Sequence, residues 1–266
     1  MFFRISPAVK NLIIINVLML LASYVLVNYK ISLDEHFGLF YYQSPYFHLY
    51  QYITYMFIHG GFLHLFFNMY ALFLFGSALE QVWGSKRFLI FYFVTGIGAA
   101  LFYTLINHFE YLPMIKAQHA FINTPSPELF KLFVAKYSVI PDNDWINIFN
   151  RWIDVPKDPL LINEAVYKVN FITYAQHLNV PCVGASGAVY GVLLGFGMLF
   201  PNTQLMLIFP PIPIKAKYVV MIYCGLELYL GITQPGSQIA HVAHIGGMIF
   251  GFFMIKLWSK NRHQFY

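Results

Sequence analysis

The sequence predicts an all-α polytopic membrane protein, a six-transmembrane-helix bundle with a half-embedded loop after helix 1 and a helical extracytoplasmic insertion between helices 3 and 4. Three observations carry this expectation. Only 10% of the 266 residues are charged, while 59% are hydrophobic and 20% aromatic. A soluble domain has about 25% charged residues to coat its surface. Uncharged windows recur that are long enough to span a bilayer, which takes about 20 apolar residues. Lys and Arg gather in short loops that fall on one side of a six-span count.

Each span has its own boundaries. Lys10 and Lys30 bracket the first, "NLIIINVLMLLASYVLVNY". It lacks a small-residue cleavage site and reads as a retained span rather than a signal peptide. No charge then appears between Glu35 and Glu80. That stretch is too long for one helix, and it divides into a Tyr/Phe-rich loop, 33–60, and a second span, "FLHLFFNMYALFLFGSAL". Aromatic rings favour the headgroup level, so the loop is expected half-sunk in the outer leaflet. The third span is "FLIFYFVTGIGAALFYTLINHF". The fourth is "GASGAVYGVLLGFGMLF", ended by Pro201-Asn202. A Pro-rich turn, "FPPIPIKAK", leads to the fifth, "YVVMIYCGLELYLGI". The turn at Pro235-Gly236 leads to the sixth, "IAHVAHIGGMIFGFFMIKLW".

One domain results, with helices 1–3 in 1–107, the insertion in 108–178 and helices 4–6 in 179–266. Arg4 and Lys10, Lys86 and Arg87, Lys215 and Lys217, and Lys256, Lys260 and Arg262 then share the cytoplasmic side with both termini. The insertion falls outside, with seven acids and six bases. Ser126-Pro127-Glu128, Asp144 and Asp158-Pro159 each mark a helix start in it. About three short amphipathic helices on the outer membrane surface are expected, as a lid, a partner surface or a structural insert. The net charge of +5 is scattered over span ends and forms no stripe, which argues against nucleic acid. Cys182 and Cys224 cannot build a disulfide framework and read as small packing residues.

With this topology, spans two, four and six start at the outer face, and their first turns carry the unusual polar groups. Span two offers His64 and Asn68, one turn apart on one face. Span four offers Ser186, and span six offers His241 and His244. Polar groups inside a membrane usually face the bundle interior and suggest function. Gly187, Gly191 and Gly195 stripe span four, while Ala243, Gly247 and Gly251 stripe span six. Small residues at this spacing let two membrane helices approach closely, which is expected to bring Ser186 to His244.

That pairing points to nucleophilic acyl transfer, with Ser186 as nucleophile and His244 as base and then acid. The outer turns carry no Asp or Glu, so a Ser–His dyad without a third acidic member is expected. Tyr190, four residues after Ser186, is placed to pack on the imidazole. Gly184 and Gly187 free the backbone around the nucleophile. The Ser186 N–H, His64 and Asn68 are the expected oxyanion donors, each worth about 10²–10³ in rate.

The segments "HGGFLHLFFNM", "GASGAVYG" and "AHIGGMIFG" resemble the rhomboid family of intramembrane serine proteases, in the family's order over about 36–107 and 180–258. The resemblance implies a rhomboid-like six-helix core, a Ser–His dyad and cleavage of single-pass membrane proteins near the outer face. It also implies substrate entry past spans two and five. The 108–178 insertion departs from small bacterial members, and the first loop lacks a Trp-Arg pair. A bacterial plasma membrane is the expected location. No cofactor is implied.

Plainer readings stand beside these. His241 reads as structural and His59 as part of the turn "HGG". Four histidines could hold zinc, but no HExxH pattern accompanies them, and no metal site is expected. Glu80 reads as an anchor, and Glu227 as a bond within the bundle or part of a proton path. A catalytically inactive relative that binds membrane helices is the alternative function. A transporter is disfavoured because the chain lacks an internal repeat.

Overall fold

Glu80 ties down the start of the first helix from a distant part of the chain. The structure, a computed structural model, describes residues 5–140, 143–206, 212–233 and 241–260. Helix α1, Pro7–Leu26, starts with proline, which lacks an N–H and so fits the first helical position. The next N–H groups of any helix lack partners within it. Glu80 supplies them, accepting from Ala8 and Val9 N–H at 2.9 Å each and from the Ser6 hydroxyl. It also accepts from the Ser85 hydroxyl at 2.6 Å. A buried carboxylate with four donors is fully used. The buried residues Ala8, Val9, Leu12, Asn16 and Leu20 follow helical spacing and make one inward stripe on α1.

Short helices α2, Leu33–Phe37, and α3, Gln51–Thr54, fall in the loop expected at 33–60. Its aromatics divide, with Phe40, Tyr41 and Tyr55 buried and Tyr42, Tyr46 and Tyr50 exposed. Helix α4, Phe62–Ala71, continues through one π turn, Leu72–Gly76, into α5, Ser77–Trp83. Gly84, at φ 75°, ends it in a conformation that favours glycine. Helix α6, Ser85–Asn123, has 39 residues and contains Pro113. It therefore runs well beyond the expected end of the third span. The polar residues His108 and Glu110 suggested a boundary, yet the helix runs on past them and past Pro113, and ends before Thr124-Pro125.

Contacts divide the chain into two units. The smaller comprises 40–48 and 104–181, so its edges differ from the expected 108–178. It holds α7, Pro127–Tyr137; α8, Asp144–Asp154; and α9, Pro159–Thr173, which runs on as a π segment, Tyr174–Leu178. The Ser126 and Asp158 side chains cap α7 and α9, whereas Asp144 is the first residue of α8 and Asn143 precedes it without a side-chain cap. These helices bury Phe121, Phe130, Trp152, Leu161 and Val169 in a common core. Three amphipathic helices thus satisfy one another's apolar faces.

In the larger unit follow α10, Ser186–Leu199; strands β1, Gln204–Met206, and β2, Pro213–Lys215; α11, Ala216–Thr233; and α12, His241–Lys260. The antiparallel ribbon pairs Gln204 with Lys215, where the sequence suggested only a Pro-rich turn. Arg4, the first residues of that turn at 209–211, the Pro235-Gly236 turn and Arg262 lie outside the described residues. Among the described residues, five helical stretches are long and apolar enough to cross a membrane: Pro7–Tyr29, Phe62–Trp83, Ser85–Asn123, Ala216–Thr233 and His241–Ser259. Helix α10 is apolar but has only 14 residues. At 1.5 Å per residue that is roughly 21 Å. It packs on α4, α5, α11 and α12 and is buried on most sides.

Candidate active site

Ser186 owes its position to the strand-like approach before α10. Leu39 and Cys182 exchange backbone hydrogen bonds of 2.8 and 2.9 Å. Burial pushes the Cys182 thiol up to about 12, so it stays protonated. Neither Cys182 nor Cys224 forms a disulfide. Gly184 N–H then donates to the Tyr55 carbonyl at 2.9 Å. Gly184 has φ 122°, where a side chain is strained, and a Cβ there would sit 2.8 Å from His64 Nε2. The turn therefore needs glycine twice over, for its backbone and for the imidazole. Helix α10 starts two residues later at Ser186.

The geometry brings Ser186 and His244 together, with Oγ 2.8 Å from Nε2. Tyr190 stacks on the His244 ring, centroids 4.1 Å apart and planes within 14°. Helix α12 reaches this distance because Gly247 leaves room for the α10 backbone. A Cβ on Gly247 would be 1.8 Å from the Gly187 carbonyl oxygen. One turn further, a Cβ on Gly251 would be 3.3 Å from the Gly191 oxygen. Ala243, at the head of this stripe, is buried.

The two stripes meet as expected, Gly247 on Gly187 and Gly251 on Gly191, but the side-chain directions of the α10 glycines point elsewhere. A Cβ on Gly187 would strike Ala99, one on Gly191 would strike Thr95, and one on Gly195 would meet Leu79 and Phe91. The α10 glycines thus open mainly towards α5 and α6, while α12 lies on the α10 backbone beside them. Small residues on two faces of one helix let neighbours close in from both.

His64 lies against Gly184. Its Nδ1 accepts from Gly60 N–H at 3.4 Å, which in a neutral imidazole leaves Nε2 as the donor. Asn68 donates to the His64 carbonyl at 2.9 Å, which ties one amide N–H to its own helix. His59 belongs to the same corner, 5.0 Å from His64 between ring centroids, and its Nε2 accepts from Ala185 N–H at 3.5 Å.

Burial, with His64 beside it, lowers the His59 pKa from 6.5 to about 3. The folded protein therefore holds His59 neutral while an unfolded chain binds a proton below pH 6.5. Its contribution to stability is present above 6.5 and is lost as pH falls towards 3. We expect His59→Gln to flatten the fall of the thermal midpoint across that window. Equal slopes for variant and wild type would remove His59 as the cause.

Glu227 bonds within the bundle, one of the two readings the sequence offered, but its place beside His244 was not foreseen. Its Oε2 is 2.9 Å from His244 Nδ1 and 2.6 Å from His241 Nδ1, and its Oε1 accepts from the Tyr190 hydroxyl. All three partners of the carboxylate sit on α10 and α12. The expected pair without an acidic neighbour is thereby corrected. The available signal was an acid inside a span, which rarely lacks a partner. One ligand atom from each of Glu227, His241 and His244 lies within 4.8 Å of the others. The hydrogen bonds among them account for that convergence.

These features define a multi-pass helical membrane protein in which a partly exposed serine pairs with a buried histidine. A family model, Rhomboid domain, matches residues 46–137 and 160–261. The chain belongs to the rhomboid family. It is 25% identical over 220 residues to RHOMBOID-like protein 12, mitochondrial, of Arabidopsis thaliana, covering 83% of this chain and 47% of that one. It is 32% identical over 120 residues to Inactive RHOMBOID-like protein 8 of the same plant, covering 45% and 30%. It is 40% identical over 55 residues to Rhomboid protease AarA of Providencia stuartii, covering 21% and 20%. The chain thus spans less than half the length of these relatives.

Proposed function

We propose that this rhomboid is an intramembrane serine endopeptidase that cleaves single-pass membrane proteins near the extracytoplasmic face. The observation that carries this reading is the 2.8 Å approach of Ser186 Oγ to His244 Nε2. Ser186 Oγ attacks the scissile carbonyl carbon while His244 Nε2 takes the hydroxyl proton. The carbonyl oxygen becomes an oxyanion beside the Ser186 N–H and His64 Nε2, with the second Asn68 N–H as a further donor. Collapse breaks the C–N bond, and His244 returns the proton to the leaving amine. Water then hydrolyses the acyl-enzyme by the same base.

Spans two, four and six begin at the extracytoplasmic face in this reading, and both termini are cytoplasmic. Substrates enter beside spans two and five. A bacterial plasma membrane fits the positive-inside pattern, and the mitochondrial names among the relatives make an organelle membrane the other location. A catalytically inactive helix-binding protein is the second reading, since one relative is named inactive. The serine and histidine retained at hydrogen-bonding distance favour the protease.

The test uses the full chain in liposomes with a tagged single-pass reporter. We expect two fragments from wild type and none from Ser186→Ala or His244→Ala. Cleavage by Ser186→Ala at the wild-type rate removes Ser186 as nucleophile. An inert wild type that still captures the reporter supports the inactive reading.

A further inference from the structure

We propose that Glu227 is a positioning residue for the reaction, a carboxylate that fixes His244 with its proton on Nδ1 and its lone pair on Nε2. This inference rests on the protease reading of the site. The donor inventory leads to it. An ionised carboxylate only accepts. Three side chains converge on the Glu227 oxygens, namely Tyr190, His241 and His244. Each must therefore donate. The proton that His244 gives to Glu227 is on Nδ1, so its Nε2 is bare and faces the Ser186 hydroxyl 2.8 Å away. The opposite tautomer would leave Nδ1 and Oε2 as two acceptors in contact and would point an N–H at Ser186. The tautomer is thus assigned from hydrogen-bonding capacity.

Position in the fold makes this possible. Glu227 lies six residues before Thr233, the end of α11, and His244 lies in the first turn of α12. Consecutive, packed helices bring these ends level. The Glu227, His241 and His244 residues are each 6% exposed or less, so water does not compete strongly for the carboxylate. Tyr190 holds the imidazole face and, through its hydroxyl, the carboxylate. The ring is therefore fixed in plane by Glu227 and out of plane by Tyr190. His241 occupies the same oxygen as His244 and holds the carboxylate from its far side. When Nε2 takes the serine proton, the imidazolium forms beside a negative charge that is already in place. A carboxylate in this relation to a catalytic histidine is worth up to about 10⁴ in rate.

A purely structural acid would also join α10, α11 and α12, so the test must separate the two roles. The full chain in detergent is assayed for kcat and KM on the tagged reporter, for labelling of Ser186 by a fluorophosphonate, and for thermal midpoint. Glu227→Gln presents one acceptor oxygen to three donors, and its NH₂ can face Nδ1 and stabilise the wrong tautomer. We expect kcat and labelling to fall about 10²–10⁴-fold with KM within about threefold. Glu227→Asp keeps the acceptor chemistry and is expected to recover at least about tenfold over Gln. Equal losses in Gln and Asp that track the thermal midpoint would overturn the proposal, as would labelling of Glu227→Gln at the wild-type rate. Should neither variant fold, ¹⁵N-histidine spectra of wild type decide. His244 protonated on Nδ1 supports the proposal, and an Nε2–H form overturns it. A wild type that neither cleaves nor labels defeats the protease reading itself, a result distinct from failure of Glu227 alone.

Discussion

Ser186→Ala and His244→Ala are each expected to slow cleavage by a factor on the order of 10⁴–10⁶, and the double variant is expected to be no slower than either single one. The two groups act as one device. A serine hydroxyl without a base is a poor nucleophile, and a base without the hydroxyl has no proton to take. Removing the second member after the first therefore costs almost nothing further. The residual rate comes from the oxyanion donors and from substrate positioning, which both variants keep. Single-turnover assays with the reporter in liposomes measure all three variants against wild type. Losses that multiply in the double variant would mean that serine and histidine contribute independently, and the hydrogen bond between them would lose its proposed role.

The second large effect is expected at Gly247, which carries no chemistry. An added Cβ would lie 1.8 Å from the Gly187 carbonyl oxygen and 2.7 Å from its carbon, against 3.4–4 Å for ordinary contact. Backbone cannot yield as a flexible side chain does. Gly247→Ala must push α12 away from α10 one turn from the Ser186–His244 hydrogen bond. A misplacement of about 1 Å at a reacting pair can cost about 10²-fold. We expect a loss of that order in fluorophosphonate labelling, together with a lower thermal midpoint. Gly225→Ala is the control, because a Cβ there meets nothing within 4 Å. Wild-type labelling by Gly247→Ala would show that the helices do not approach this closely.

The span positions were legible because apolar windows, flanking charges and Pro or Gly stops agree at most boundaries. The end of α6 was not, since the helix continues past His108 and Glu110 and through Pro113 into the smaller unit. Polarity marks where an apolar run ends, and a helix ends only where backbone partners run out. Ser186 and His244 could be paired because the two small-residue stripes fixed their neighbourhood. Which face each stripe presents depends on a third helix, α6, whose Ala99 and Thr95 carry no distinctive signal. Glu227 was read as a bond within the bundle, which it makes, but its place beside His244 was missed for a related reason. It sits near the end of a helix running opposite to α12, so counting turns from the start of α11 misjudges its level. Short-range spacing cannot report that reversal, whereas three convergent donors in the folded chain do.

The Glu80 clasp on α1 has a mechanical corollary. All of its bonds to that helix fall at Ser6, Ala8 and Val9, and exposure at the opposite end rises through Tyr24 and Val25 to 72% at Tyr29. The rod is moored at its head and rests on the surrounding medium along its tail. Hydrogen bonds thus fix the start of α1, while the stretch from Tyr24 to Tyr29, at and beyond its end, is held by little buried surface.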